Sequence, residues 1–227
     1  MAWMLDEYAH VTGATGKPVS LGGSEGRHDA TARGGLITVR EAAAGMGMDL
    51  AAATVVIRGF GNVRHSAASP GAAHYDAEVV AVSDGNGAID RPDPAAVENV
   101  ITIENAERVG ARIVADLANG PTTTETDEML DQSGIHIVPD FLCNGGGVIV
   151  SCIEMIQNRT LDHWSEAEVF RRPGEKVTAA YRAVTDFSRT WWVPMRQATP
   201  TLAVERTGGA MDYRGWIGTE QCLPTHP

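Results

Sequence analysis

The sequence predicts an α/β fold with a mostly parallel sheet, helices on both faces and further helices at the C-terminal end. Three observations predict it. Short β-branched runs recur, as in Thr54-Val55-Val56-Ile57 and Val79-Val80-Ala81-Val82; the first is apolar on both faces, as a parallel strand covered on both sides should be. A glycine turn, Gly59-Phe60-Gly61-Asn62-Val63-Arg64, follows that run at once and leads into an expected helix through Ala67 and Ala68. Strand, turn, helix and strand then make a βαβ unit.

The elements follow in order. A Gly-rich loop runs from Thr15-Gly16-Lys17-Pro18 to Gly26-Arg27, and a helical stretch covers Leu36 to Ala44, ending near Gly45 to Gly47. After the βαβ unit, which closes at Ser83-Asp84, a third strand is expected at Arg112-Ile113-Val114-Ala115. Asn119-Gly120-Pro121 turns the chain, and Thr124 with Asp127 has the spacing of a capping box on a short helix. A fourth strand, Ile135-His136-Ile137-Val138, ends at Pro139-Asp140, and Asn144-Gly145-Gly146-Gly147 opens a helix from Val148 to Gln157. From Ser165 on, helices are expected, broken at Pro173-Gly174 and at Pro200, with a frayed tail from Thr219 to Pro227.

Composition limits the function classes. The 227 residues suit one ordinary domain or one with a helical appendage; 43% are hydrophobic and 21% charged, which gives a real core. A formal net charge of -11 argues against a basic surface that would displace counterions from nucleic acid, and it fits a cytoplasmic protein. No run approaches the ~18 apolar residues of a membrane span, and Met1 to Glu7 lacks the basic and apolar stretches of a secretion signal. The three cysteines, Cys143, Cys152 and Cys222, have no disulfide or zinc spacing, and the apolar settings of Cys143 and Cys152 predict buried thiols. His65, His74 and His136 form no helical His-x-x-x-His pair, so a metal hydrolase is not supported.

The glycine turn is where chemistry is expected. Between a strand and a helix, Gly59 permits the tight turn and Gly61 lets backbone N–H groups approach a pyrophosphate, beside the partial positive charge of the helix start. The third glycine of that fingerprint is replaced by Arg64, and Pro70 falls inside the following helix, so a plain glycine turn is the competing reading. Asp84 ends the second strand, where a carboxylate accepts from ribose hydroxyls or simply starts the turn at Gly85-Asn86-Gly87.

Several segments, in order, resemble the C-terminal half of the glutamate dehydrogenases, within the glutamate/leucine/phenylalanine/valine dehydrogenase family. They include Thr15-Gly16-Lys17-Pro18, Gly22-Gly23-Ser24-Glu25-Gly26-Arg27, Ala30-Thr31-Ala32-Arg33-Gly34, Gly59-Phe60-Gly61-Asn62-Val63, Ala118-Asn119-Gly120-Pro121-Thr122-Thr123 and Asn144 through Ser151. The resemblance implies NAD or NADP as cofactor. It implies that Thr31 contacts the nicotinamide amide, that Gly59, Phe60, Gly61, Asn62 and Val63 form the dinucleotide turn with Asp84 beyond it, and that Asn119 and Asn144 lie beside the nicotinamide ribose and ring. It further implies that Val148 and Ser151 line the pocket for the substrate side-chain carboxylate. The implied reaction is oxidative deamination of L-glutamate to 2-oxoglutarate and ammonia.

The chain also departs from the family. It is expected to begin after the substrate domain that supplies the catalytic lysines, so no catalytic residue is assigned to it. A segment holding a helix and a sheet strand is expected to be missing between Asp93 and Pro94, which shortens the Rossmann-like sheet and should expose strand edges. The expected organisation is a remnant connecting helix and loop over 1–33, an incomplete dinucleotide-binding domain over 34–158 and a helical region over 159–227. Glutamate or 2-oxoglutarate is then a partner only if a partner domain is supplied; a homo-oligomer or a split partner chain is the macromolecular partner to expect, and neither nucleic acid nor membrane is expected. The alternative is an inactive remnant that at most binds nucleotide or serves as an interaction module.

Overall fold

The computed structural model describes residues 14–58, 78–84, 87–88 and 101–217. The glycine turn at Gly59 to Arg64, the helix expected after it with Pro70, the segments on either side of Pro94, His65, His74, Cys222 and the expected frayed tail lie outside the described residues.

The first long helix, α1, spans Ala30–Gly45, and so begins earlier than the expected Leu36. It runs through Gly34 and Gly35, residues that weaken a helix in isolation, because tertiary contacts use their missing side chains. A Cβ on Gly34 would lie 2.8 Å from the Cα of Gly146, and one on Gly35 would lie 2.3 Å from Leu117. The helix closes where the glycines predict. Gly47 takes a left-handed φ of 65°, and Met48 N–H donates to the Ala43 carbonyl at 2.8 Å, a Schellman pattern that satisfies the last carbonyls.

Strands β1 (Thr54–Arg58) and β2 (Glu78–Asp84) pair in parallel, with a register irregularity between Val55 and Val56. β3 (Gly87–Ala88) adds antiparallel to β2. A second sheet holds β4 (Ile113–Ala115) and β5 (His136–Val138), again parallel, with Ile113 opposite His136. Helix α2 (Thr124–Gln132) links them as a second βαβ unit. Among the described residues no pairing joins the two sheets.

Two local expectations are corrected here. β1 is not covered on both faces: Val56 is 66% exposed although Ile57 is buried, and no β1 residue belongs to either buried cluster of the core. The capping box does not form on α2. Thr123, not Thr124, is the cap residue; its hydroxyl lies 2.7 Å from that of Thr126, and the Asp127 carboxylate turns to Arg196 instead.

Short helix α3 (Asp140–Cys143) leads into α4 (Gly146–Thr160). α5 (Glu166–Trp191) starts with the capping box of Ser165 and Glu168. It passes unbroken through Pro173, and α6 (Met195–Tyr213) passes through Pro200, so the predicted breaks do not occur there. An interior proline costs ~3 kcal/mol, but Pro173 is itself part of the buried stripe Val169, Pro173, Val177, Tyr181 and Val184, and burial of that stripe offsets the lost bond. The actual break is at Trp192, with a left-handed φ of 54°, followed by Pro194.

The main core gathers Ala42 of α1, Val138 of β5, Leu142 and Cys143 of α3, Tyr181 and Val184 of α5 and Met195 and Ala198 of α6. Burial pushes the Cys143 thiol up to about 12. Cys152 departs from expectation, since its place on the outer face of α4 leaves it exposed. No helix among the described residues is long and apolar enough to cross a membrane.

Candidate functional site at the start of α4

The start of α4 is where the predicted polar residues converge. Gly146 lies against α1 so closely that a Cβ there would sit 2.3 Å from the Ala30 carbonyl oxygen, and one on Gly147 would sit 2.4 Å from the Thr31 hydroxyl. Only glycine permits this crossing. It brings Thr31 onto the first turn of α4, one turn before Ser151, whose hydroxyl donates to the Gly147 carbonyl at 3.1 Å. No side chain caps this helix start, which carries the partial positive charge of a helix N-terminus, although the Gly147 N–H already donates to the Asn144 carbonyl at 3.4 Å.

Across from it, Asn144 Nδ2 donates to Asn119 Oδ1 at 2.8 Å. This fixes one amide on the other and leaves Asn119 exposed. Val148 is 69% exposed on the outer face of the helix. Thr31 and Ser151 thus meet at Gly147, Asn119 and Asn144 meet just before the helix start, and Val148 lies on its outer face. Asp84 ends β2 opposite Gly87 in the other sheet, and Gly59, Phe60, Gly61, Asn62 and Val63 fall outside the described residues.

Arg27 was passed over at the sequence level. Its Nε is buried without a hydrogen-bond partner, and its guanidinium lies near the Gly147 position, 3.9 Å from where a Cβ would stand. An unanswered cation beside a helix start is an anion-seeking feature. The only available sequence signal was its place in the glycine-rich stretch Gly22 to Arg27.

Behind the site, α4 is clamped to the loop before α1. Lys17 and Glu154 form an ion pair at 2.8 Å with both side chains fully buried. Glu154 also accepts from the N–H groups of Gly16 and Lys17 at 2.7 and 3.2 Å. Lys17 Nζ donates to the Ala14 carbonyl at 2.7 Å. Gln157 donates to Ser24 at 3.0 Å, and Asn158 to the Ala14 carbonyl at 3.2 Å. Charge and hydrogen bonds are therefore answered on both partners, which a buried pair requires. Lys17 is occupied by this clamp, and Lys176, the other lysine of the chain, is exposed on α5.

The residues fit the nicotinamide end of a dinucleotide. Two side-chain amides, a hydroxyl and an uncapped helix start offer uncharged donors and acceptors of the kind a carboxamide and a ribose use, with no carboxylate among them. No group of three or more His, Cys, Asp or Glu among the described residues is arranged to hold a metal.

Two parallel strand pairs, the second packed against helices, together with a polar cluster at a helix start, define a Rossmann-like α/β protein. The comparisons place it more narrowly. The sequence profile of the Glutamate/Leucine/Phenylalanine/Valine dehydrogenase family matches residues 22–93 and 90–215, and this chain belongs to that family. It is similar to the NAD-specific glutamate dehydrogenase of Staphylococcus aureus, with 36% identity over 95% of this chain and 63% of that protein. In structure it resembles the glutamate dehydrogenase of Peptoniphilus asaccharolyticus, at 34% identity and a TM-score of 0.85, covering 95% of this chain and 62% of that one. It equally resembles the hetero-hexameric glutamate dehydrogenase of Thermus thermophilus, in its Leu-bound form, at 30% identity and a TM-score of 0.85, covering 96% and 62%.

The chain therefore spans under two thirds of the length of these relatives. The profile matches in two pieces that meet at residues 90–93, and the alignment with the Staphylococcus protein runs over 263 positions, more than the 227 residues present. Both findings agree with a segment missing beside Asp93 and Pro94.

Proposed function

We propose that this chain is the nicotinamide dinucleotide-binding part of a glutamate dehydrogenase. Thr31, Asn119 and Asn144 would hold the nicotinamide and its ribose, the turn at Gly59, Phe60, Gly61, Asn62 and Val63 would hold the pyrophosphate, and Asp84 the adenosine ribose. The observation that carries this reading is the cradle of Thr31, Asn119 and Asn144 at the uncapped start of α4. NAD rather than NADP is favoured by the name of the Staphylococcus relative. The cofactor, when bound, accepts hydride; the protein's part is to orient it and to exclude water.

The substrate reading is oxidative deamination of L-glutamate to 2-oxoglutarate and ammonia. Ser151 and Val148 would line the pocket of the side-chain carboxylate, and Arg27 would offer it a cation. Proton transfer needs a base that faces α4. Neither lysine of this chain is free for it: Lys17 is spent on the buried ion pair with Glu154 of α4, and Lys176 is exposed on α5. In this reading the base comes from a facing lobe, on the same polypeptide or on a partner in an oligomer of the kind named for the Thermus protein.

Titration of the 227-residue chain with NADH, followed by calorimetry and nicotinamide fluorescence, tests the first part. Saturable binding that Asn119→Ala weakens is expected, and no heat or fluorescence change up to millimolar NADH would overturn it. Adding the N-terminal lobe of the Staphylococcus relative in trans, with glutamate and NAD, should give reduced-nicotinamide absorbance that neither piece gives alone.

A further inference from the structure

We propose that Arg196 is the positioning residue of the Asn119–Asn144 pair, holding the loop between β4 and α2 in shape from the start of α6. This rests on the nicotinamide reading given above for those two asparagines, but the structural step stands independently of it.

Arg196 lies in the first turn of α6, 80 residues from Asp116 in sequence. Its guanidinium nevertheless reaches three carboxylates. Nη2 donates to Asp116 Oδ2 at 2.6 Å and to Asp127 Oδ1 at 3.1 Å, Nη1 donates to Asp140 Oδ1 at 3.2 Å, and Nε faces Asp127 Oδ2. All three acids are nearly buried, at 3%, 8% and 7% side-chain exposure for Asp116, Asp127 and Asp140.

Two of these carboxylates hold the loop that carries Asn119. Asp116 directly follows β4, and its second oxygen accepts from the Thr122 hydroxyl at 3.3 Å, closing the base of the loop. Asp140 starts α3, and its second oxygen accepts from the Gly120 N–H at 2.9 Å, pinning the tip next to Asn119. Asp140 also opens the helix that delivers Asn144. One guanidinium therefore fixes the base of the loop, its tip and the segment that presents its partner amide.

The need for it is electrostatic. Three carboxylates share one cation, an excess of two negative charges in a poorly solvated place. Burial pushes the Asp116 carboxyl up, Arg196 opposes that, and the nearby Asp140 charge adds to it. Without the guanidinium these acids repel one another, and the cheapest relief is for the loop to open and let water in. Lysine cannot replace it, because a single ammonium lacks the fork that bridges several carboxylates at once.

Amide hydrogen exchange on the whole chain tests the structural step without cofactor. In Arg196→Met, exchange at Gly120 and across 117–123 should rise by about tenfold or more, while β4–β5 ladder amides such as His136, which donates to the Arg112 carbonyl, stay protected. Unchanged protection at Gly120 would overturn the proposal. If Arg196→Met loses protection everywhere, Arg196→Lys decides: a folded protein with an open loop supports positioning, and a folded protein with a closed loop refutes it. A second arm compares ligands. Arg196→Lys should weaken NADH at least tenfold and leave AMP, which lacks the nicotinamide half, unchanged. Equal weakening of both refutes the proposal. Should the wild-type chain bind no NADH, the cofactor reading fails and the exchange result still settles the role of Arg196.

Discussion

Around α4 most buried polar groups are answered, Arg27 Nε and Asn158 Oδ1 excepted: Glu154 takes three donors, Lys17 reaches two acceptors, and Gln157 and Asn158 are tied to the loop before α1. Along β1 the situation is reversed. The strand pairs well with β2 but leaves Val56 two-thirds exposed and contributes nothing to either buried cluster. The two regions differ in how the missing segment bears on them. α4 packs on α1, α5 and the loop before α1, whereas among the described residues no pairing joins the sheet that holds β1 to β4. The chain thus keeps α4, the helix proposed to face nicotinamide and substrate, in a finished setting, while the sheet expected to carry the pyrophosphate turn is less covered among the described residues.

That contrast predicts where stability lies. The largest effect is expected at the clamp. Lys17→Met strands a fully buried carboxylate, and breaking such a pair costs about 3–5 kcal/mol. Adding Glu154→Gln should recover part of it, because the uncompensated charge is then gone. Urea unfolding followed by helical circular dichroism measures both, and a single-mutant cost under about 1 kcal/mol would mean that the clamp is solvated and the contrast is false.

Next come paired substitutions on the two sides. Leu130 on α2 is 1% exposed, and Leu130→Ala should cost about 2–5 kcal/mol through lost transfer energy and the cavity left behind. Val56→Thr on the open face of β1 should stay within about 0.5 kcal/mol. A large cost at Val56 would show that its face is covered in solution, for instance by a second copy of the chain, and would remove the distinction between the two regions.

The sequence announced the elements whose cause is local. β4, β5 and α4 were readable because apolar runs and the Asn144 to Gly147 stretch lie within a few residues of one another. The pairing of Asn119 with Asn144 was anticipated only as a shared site, through family resemblance. What escaped was long-range. Lys17 meets Glu154 across 137 positions, and Arg196 meets Asp116 across 80; neither spacing leaves a periodic trace. Pro173 misled because its local penalty is visible in sequence while the stripe it completes is visible only in three dimensions. Cys152 and Val56 misled for the opposite reason: apolar neighbours in sequence suggested burial, but the faces they occupy are not covered among the described residues.

The smallest expected effect is a pH dependence on the packed side. His136 of β5 shares a 2.8 Å hydrogen bond with the Tyr181 hydroxyl. Burial, and then the charge of Arg189, hold its imidazole below the usual histidine value, against a weaker opposing pull from Asp131. The folded protein therefore resists the proton more than the unfolded chain does. Above the ordinary value of about 6.5 the ring is neutral in both states and contributes no slope. As pH falls below that value the unfolded chain takes up the proton first, and stability declines until the lowered folded pKa is passed. The unfolding midpoint of the wild type should thus drop between about pH 7.5 and pH 5.5, a window above most carboxylate titration, and His136→Gln should flatten that drop while keeping a hydrogen-bonding group near Tyr181. Parallel profiles for the two proteins would mean that the imidazole is as solvated as those in the unfolded chain, and that the packing on β5 is looser than its buried neighbours Val138 and Tyr181 require.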